Sequence, residues 1–559
     1  MKKIDVLYGL FIALLLPACY DDLGNYDYHE INELEVDSIR SLYNVDIDDS
    51  LCIYPMLKGT LYSDTSRFTY QWEIGTQTVG TNHDLEIVVN LTAGYKFARY
   101  VVMDKETGVK KYYTFNVEVK SSTAADLIMV LSKYQGRAEL SYLRLDKEAN
   151  WAVNYYKERF DEELGKNPQQ LVICYTERMA KNYPFLNASG RIMTLSDNRI
   201  RLMDKNTLTP DTLTPYLLGE HYAQFMTPYP VPDVSSYKPE WLDETIGMTR
   251  MQIAYNNLYS SNPFMQIGGG KLYTVHHSTL GSSSWSVNNS SPYADGYICP
   301  FGYWDDMSNA ESYGTNMYLG CNTGDFMMFD RNNHRFFYGS SYGGKTAILE
   351  QDVPAFPQYN NLLWGAATVI ENNTSVAVLH AGDNCRMVVL QNGLGGSDGT
   401  RSAKKLVKEI DCNGVVTAQS KFYMMKYNTY MFFTNGDKLY RYNLLNGINS
   451  NMGPANTPVL TLSELGYGPE ARITSLFVSR SEQTLLLGVS RYGEDAEAMG
   501  EEMKGDVLWF DLNASTLEVK YNERRSAKGI AGIPVDVKIK FQTLWRDGKN
   551  YQDVLVDQY

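Results

Sequence analysis

Four segments near the N-terminus alternate apolar with polar residues or run apolar over strand lengths: FTYQWEI (68–74), LEIVVNL (85–91), RYVVMD (99–104) and YYTFNVEVK (112–120). Gly, Asn and Asp separate them. Period-two alternation between turn residues predicts β-strands. Their spacing predicts an antiparallel sandwich of about 100 residues, placed at 30–122. Trp72 stands where such a fold buries a tryptophan on its third strand. MDKETGV (103–109) predicts a turn between two strands, with Gly108 at the position that needs positive φ. Helical periods are few along the whole chain.

From 123 to 559 the strand-like runs continue with a weak internal repeat. Several end in an acidic or amide residue and then turn: YLRLDKEAN (142–150), RLMDKNTLT (201–209), MMFDRNNHRFF (327–337), VVLQNG (388–393), YRYNLLNG (440–447) and LWFDLNAST (508–516). The physical unit is a hairpin whose Asp or Asn bonds local backbone amides. The anchors are Asp146, Asp204, Asp330, Asn392, Asn443 and Asp511. One unit, near KLYTVHHST (271–279), has lost its signature. Six intervals from Asp146 to Asp511 then average about 61 residues, the span of four short strands with long loops. The predicted fold class is all-β: an Ig-like sandwich followed by a β-propeller-like domain of about seven blades. The alternative is two unrelated β-domains with generic hairpins.

The chain begins MKKIDVLYGLFIALLLPACYDD. Lys2 and Lys3 precede an apolar stretch from Val6 to Leu16. That stretch is too short to span a bilayer, which needs about 20 apolar residues. It fits the hydrophobic part of a secretory signal peptide. Leu16-Pro17-Ala18-Cys19 resembles the lipobox of bacterial lipoproteins, which implies cleavage before Cys19 and lipidation there. The expected division is a signal peptide at 1–18, an acidic tether at 19–29, the sandwich at 30–122 and the propeller-like domain at 123–559. Asp21 and Asp22 resemble the surface-export signal of Bacteroidetes-type lipoproteins. That implies the outer face of the outer membrane, with contact to the membrane through the lipid anchor only.

Charge and cysteine usage narrow the functions. The net charge of −14 repels nucleic acid and anionic lipid surfaces, so no nucleic-acid partner is expected. The seven cysteines are Cys19, Cys52, Cys174, Cys299, Cys321, Cys385 and Cys412, and no two form a CxxC pair. That spacing excludes a zinc ribbon or a thioredoxin motif. Only Cys52 lies in 30–122, so an antibody-type intersheet disulfide is excluded there.

No sequence motif argues for catalysis. GxSxG, HExxH and a Walker loop are all missing. GGGKLYT (268–274) lacks P-loop spacing and predicts a turn leading into a strand. His276 and His277 are adjacent, so on a strand they point to opposite faces. DIDDS (46–50) lacks the glycine and distal glutamate of an EF-hand loop. The expectation is a non-enzyme without cofactor or bound metal.

Two long aromatic segments are the candidate binding surface. Residues 279–316 carry Trp285, Tyr293, Tyr297, Tyr303, Trp304 and Tyr313 among Ser, Asn and Asp; residues 216–241 carry Tyr229 and Trp241 among prolines. Tyrosine is abundant overall, 43 against 20 phenylalanines. Such rings stack on sugars, clasp peptides or anchor a partner protein. The competing reading is that they pack the loops onto the domain.

YQW (70–72) followed by YVVMDKETGVKKYYTFNVEV (100–119) resembles a PKD or Ig-like module. Placed after a lipobox and before LIMVLSKYQGRAELSYL (127–143), it is similar to the PKD-like lipoproteins of Bacteroidetes. The resemblance covers about the first 145 residues and implies association with SusC/SusD-type outer-membrane importers. The expected function is a surface-exposed accessory lipoprotein of a nutrient-import complex. It would bind a glycan or peptide nutrient or dock to the importer subunits. The alternatives are a propeller-fold glycoside hydrolase or lyase at the cell surface, and a structural scaffold with no ligand.

Overall fold

The computed structural model describes residues 32–146, 151–174, 191–210, 239–242, 263–268, 271–276, 297–300, 315–320, 325–331, 334–340, 346–348, 353–370, 374–391, 405–479, 481–493, 503–542, 545–546 and 555–556. The chain divides into two compact units, Met1–Lys120 and Ser121–Tyr559.

The first unit contains β1 (Leu34–Asp37), β2 (Leu42–Asp46), β3 (Ser50–Ile53), β4 (Met56–Gly59), β5 (Phe68–Ile74), β6 (Gln77–Gly80), β7 (Leu85–Val88), β8 (Gly94–Asp104) and β9 (Lys110–Lys120). They form a five-stranded sheet in the order β2-β9-β8-β5-β6, with β1-β4 and β3-β7 as separate pairs. Alternation decides which face is buried. Phe68, Trp72 and Ile74 of β5 enter the core with Tyr100, Phe115 and Val117, while Thr69 and Gln71 face solvent. Trp72 is fully buried. Its ring stacks on Tyr100 at 4.0 Å between centroids, and its Nε1 donates to the Asn82 carbonyl at 2.9 Å. The β8–β9 turn closes as its residues predict: Asp104 Oδ1 accepts from the amides of Glu106 (2.8 Å) and Thr107 (3.1 Å), and Gly108 has φ +69°. The expectation of a purely antiparallel sandwich is corrected at one edge. There β2 runs parallel to β9, with Leu42 opposite Asn116.

In the second unit, strands succeed one another sheet by sheet. Sheet 1 holds β10 (Leu127–Tyr134), β11 (Arg137–Arg144) and β12 (Trp151–Ala152); on the other side of β10 lies β37 (Ile533–Lys540), from the far end of the chain. Sheet 2 is β13 (Pro168–Cys174), β14 (Arg191–Ser196) and β15 (Arg199–Asp204). Sheet 3 is β16 (Pro239–Leu242), β17 (Pro263–Gly268), β18 (Lys271–His276) and β19 (Tyr297–Pro300). Sheet 4 is β20 (Thr315–Gly320), β21 (Asp325–Asp330), β22 (Arg335–Ser340) and β23 (Thr346–Ile348). Sheet 5 is β24 (Asn361–Ala367), β25 (Thr374–Ala381), β26 (Asn384–Gln391) and β27 (Lys405–Asp411). Sheet 6 is β28 (Phe422–Met424), β29 (Tyr430–Asn435), β30 (Lys438–Asn443) and β31 (Leu460–Thr461). Sheet 7 is β32 (Arg472–Val478), β33 (Thr484–Ser490), β34 (Gly505–Leu512) and β35 (Val519–Tyr521), with β36 (Ala527–Ala531) also on β34. A short pair, β38 (Trp545–Arg546) and β39 (Leu555–Val556), follows.

Neighbouring sheets pack face to face. Leu127, Met129 and Leu131 of β10 share a core with Leu171 and Ile192 of sheet 2, while Ile128 and Val130 share another with Leu486 and Trp509 of sheet 7. The same division holds in β25, where Val376 and Val378 face sheet 6 and Ala377 and Leu379 face sheet 4. In β33, Leu485 and Leu487 face sheet 6 and Leu486 faces sheet 1. A strand covered on both faces runs apolar without alternation, as in LIMVL (127–131) and LLLGV (485–489). Strands from successive sheets run side by side: β37 beside β13, β13 beside β16, β20 beside β24, β24 beside β28, β28 beside β32 and β32 beside β37.

The repeat anchors map onto this order with one correction. Counting β37 as the first strand of sheet 1, Asp146, Asp204, Asn443 and Asp511 lie at or just after the third strand of their sheets, and Asn392 lies outside the described residues. Asp330 instead ends β21, the second strand of sheet 4. The unit without a signature is sheet 3, whose third strand ends at His276.

Candidate binding groove

Sheet 7 has a broken outer edge. The outer partner of β34 is split into β35 and β36, with a single 3-10 turn, Glu523–Arg525, between them. At the break, the Trp509 carbonyl accepts from the Asn522 amide at 2.9 Å, and the Trp509 amide donates to Ser526 Oγ at 2.9 Å. Asn522 caps the turn by accepting from the Arg525 amide at 3.3 Å. The guanidinium of Arg525 then lies over the Trp509 ring, 4.8 Å from its centroid. Side chain and backbone thus complete a strand edge that would otherwise hold unpaired groups.

This edge is one wall of an open groove of about 900 Å³. The lining comes from three segments of sheet 7: the turn before β33 (Ser481, Gln483), the β34–β35 hairpin (Asp511 to Glu518) and the 3-10 segment (Asn522, Arg525). Asp511 stands in the middle, opposite Thr484 on β33 and Lys520 on β35. Its carboxylate is oriented by two neutral donors. Trp509 Nε1 reaches Oδ1 at 3.0 Å, and Asn522 Nδ2 reaches Oδ2 at 3.0 Å. A carboxylate has about four acceptor positions, so capacity remains toward the groove. Asn513, two residues on, closes the hairpin by accepting from the amides of Ser515 and Thr516, each at 3.0 Å.

The lining therefore mixes fixed acceptors (Asp511, Glu518) with donors (Lys520, Arg525) and groups that do both (Gln483, Ser481, Ser515). Among the described lining residues, positive and negative groups are equal in number. Such a surface suits a ligand dense in hydroxyl or amide groups and without net charge. Among the described residues, the lining holds no histidine, cysteine or tyrosine. Among the described residues, no group of three or more His, Cys, Asp or Glu is placed to hold a metal ion.

Of the residues expected to bind from sequence, Cys19, Asp21, Asp22, Tyr229, Trp285, Tyr293, Tyr303, Trp304 and Tyr313 lie outside the described residues. Tyr297 and Trp241 sit on strands of sheet 3 rather than in long loops: Tyr297 opens β19 opposite His276, and Trp241 is in β16 opposite Ile267. Sequence reasoning named Asp511 only as a hairpin closer and missed Asn513, Asn522 and Arg525. The local signal was present in DLNAST and YNERR, where an asparagine precedes each turn.

A profile of the PKD-like family matches residues 19–168. The chain thus combines a PKD-like N-terminal domain with a longer strand-built region. A sequence search against curated proteins returned no match. Among solved structures, the chain is similar to a quinonprotein alcohol dehydrogenase-like protein from Bacteroides thetaiotaomicron (10% identity, TM-score 0.43, covering 92% of this chain and 100% of that one). It is also similar to virginiamycin B lyase from Staphylococcus aureus (9% identity, TM-score 0.26, covering 72% of this chain and 96% of that one).

Proposed function

We propose that this protein is a surface-exposed accessory lipoprotein of a SusC/SusD-type nutrient-import complex, anchored through Cys19, and that it binds rather than transforms its ligand. Its second unit is read as a seven-bladed propeller. Support comes from seven successive sheets among the described residues, cores between adjacent sheets, side-by-side strands of successive sheets, and the pairing of β37 with β10 that joins the two ends. The observation that carries the binding role is Asp511, held by Trp509 and Asn522 in a polar groove. A preoriented carboxylate among amides and hydroxyls favours a neutral glycan over an acidic or basic peptide, because vicinal hydroxyls use both donors and acceptors without needing net charge.

Calorimetric titration of the full-length protein with neutral oligosaccharides and with neutral peptides of matched length tests the reading. A glycan is expected to bind, and Asp511→Asn, whose amide oxygen still accepts from Trp509 Nε1, to weaken it tenfold or more with a melting temperature close to the parent's. Peptide binding alone, or a glycan insensitive to Asp511, overturns the groove as a glycan site. Release of product from any offered glycan overturns the non-enzymatic role. Fatty-acid labelling of the protein and of Cys19→Ala checks the anchor, with label expected only on the parent.

A further inference from the structure

Cys385 and Cys412 are free, buried thiols in the structure, and we infer that oxidation joins them in a cross-strand disulfide within sheet 5. Strands β26 and β27 pair antiparallel, with Arg386 opposite Asp411 and Met387 opposite Ile410. Cys385 and Cys412 are the next facing positions, and the register shift in this pair lies elsewhere, between Val389 and Leu390. Met387 and Ile410 both enter the core shared with sheet 6. Two residues away on each strand, Cys385 and Cys412 point to the same side and belong to the same core, 5% and 1% exposed.

Facing residues of an antiparallel pair have Cβ atoms about 4.5–5.5 Å apart. A disulfide needs about 3.5–4.5 Å, so a small adjustment closes the bond. The register is pinned around the pair. On the opposite face, Arg386 Nη1 lies 3.5 Å from Asp411 Oδ2. Beyond the strand, the Asn413 amide donates to Asp411 Oδ1 at 2.7 Å and the Val415 amide to the Cys412 carbonyl at 2.9 Å. The competing reading is that both cysteines serve as small apolar core residues.

Burial also decides when the bond forms. It pushes the Cys385 thiol up to about 11 and the Cys412 thiol up to about 12. Thiolate, the attacking species, is scarce at neutral pH in the finished core, and a reagent reaches it there only when the edge of the sheet opens transiently. The bond therefore closes while the strands assemble. The oxidant is a low-molecular-weight disulfide such as oxidised glutathione. One cysteine thiolate attacks its sulfur and expels a glutathione thiolate. The second cysteine thiolate then attacks the protein sulfur of the mixed disulfide and expels the other glutathione. Two protein thiols lose two protons and two electrons, and one glutathione disulfide becomes two glutathiones.

The test refolds the full-length protein from urea in a glutathione redox buffer, with a purely reducing buffer as control. The folded monomer is isolated, unfolded in urea, alkylated with iodoacetamide and digested with trypsin without reduction. Cleavage after Lys345, Arg386, Lys408 and Lys421 places the two cysteines on separate fragments. A second arm needs no refolding: native reduced protein is held at about pH 10.5 with oxidised glutathione, where a fraction of the thiols is ionised. The expected result is one species joining fragments 346–386 and 409–421, with a melting temperature several degrees above the reduced protein. Cys412→Ala is expected to melt alike in both buffers. Recovery of both fragments alkylated and separate in both arms overturns the inference, as does linkage of either cysteine to a different partner.

Discussion

Lys205 and Lys540 hold each other's chain segments. Lys540 Nζ donates to the Lys205 carbonyl at 3.2 Å and to the Thr123 carbonyl at 2.7 Å, while Lys205 Nζ donates to the Gln542 carbonyl at 2.9 Å. Lys540 is fully buried and Lys205 is 1% exposed. Burying an ammonium is costly unless its protons find acceptors, and here the acceptors are carbonyls at strand ends. Thr123 precedes β10, Lys205 follows β15 and Lys540 ends β37, so the pair ties sheet 1 to sheet 2 where the chain ends meet. Asp536 adds to the tie by accepting from the Leu171 amide at 2.9 Å.

Lys540→Met nearly keeps the volume, ends one atom short of Nζ and removes the donor. Two buried carbonyls then lose a charged partner, at a cost of about 3 kcal/mol. Lys205→Met is expected to cost a similar amount, and the double variant less than the sum, since the two share a network. Urea unfolding of the three variants measures this. Midpoints equal to the parent's would show that the lysines are incidental to the junction.

Glycines let strands approach where sheet 7 meets sheet 1. A Cβ on Gly505 would fall on the carbonyl oxygen of Gly532, and one on Gly532 would fall on that of Lys133. At Gly488 it would lie 2.9 Å from Pro534 Cβ and 3.0 Å from Val537 Cγ2. Backbone atoms cannot turn aside as a side chain can, so Gly532→Ala is expected to cost about 3 kcal/mol. Gly468, with open space around it, should accept alanine within about 0.5 kcal/mol. Thermal melts of the two variants give the comparison, and equal losses would refute the close-approach account.

In the first unit the ring pair Trp72–Tyr100 is the core of the sandwich. Trp72→Ala is expected to cost about 3–5 kcal/mol, a large share of a small domain's stability. Trp72→Phe should recover part of this by keeping a ring against Tyr100. Urea titration of the full-length variants, followed by tryptophan fluorescence and circular dichroism, reads the loss. An alanine variant with the parent's profile would remove Trp72 from the core.

How far the sequence could be read depended on how many faces of a strand are covered. In β5 one face meets the core and the other solvent, so FTYQWEI announced both the strand and its buried side. In β10, β25 and β33 both faces are covered, and an apolar run marks a strand without saying which neighbour each side chain meets. The pairing of Leu127 with Lys540 joins residues too distant for any local pattern to register. The hairpin signature failed at Asp330 because acid–turn chemistry suits a second hairpin as well as a third. Asp511 was visible as an acid before a turn. Its partners, Trp509 and Asn522, meet it only through strand alternation and the broken edge of β34, so the groove had no linear signature.

Two carboxylates should move stability in opposite directions with pH. Asp104 is held well below the usual carboxylate range, chiefly by the Tyr62 hydroxyl that donates to Oδ2, then by the amides of Thr107 and Glu106 and by Arg67. A group depressed in the folded state favours folding fully above its unfolded pKa, near 4, and loses that contribution as pH falls through its folded value. The gap between the parent and Asp104→Asn should therefore shrink below about pH 4. Glu482 is the reverse case. It is fully buried with Oε2 unpartnered, and desolvation raises its pKa although the Lys426 amide and Tyr423 hydroxyl both donate to Oε1. The folded protein then holds the proton more tightly than the unfolded chain. Glu482 contributes most on the acid side, below about pH 4.3, and that contribution is lost as pH rises through its raised folded value. Glu482→Gln cannot titrate, so from about pH 4.5 upward the difference in unfolding free energy should move in the variant's favour. Urea unfolding of parent and both variants at intervals from about pH 3 to pH 8 measures the two slopes. A Glu482→Gln difference that is flat, or that moves toward the parent as pH rises, would show that burial does not govern this carboxyl.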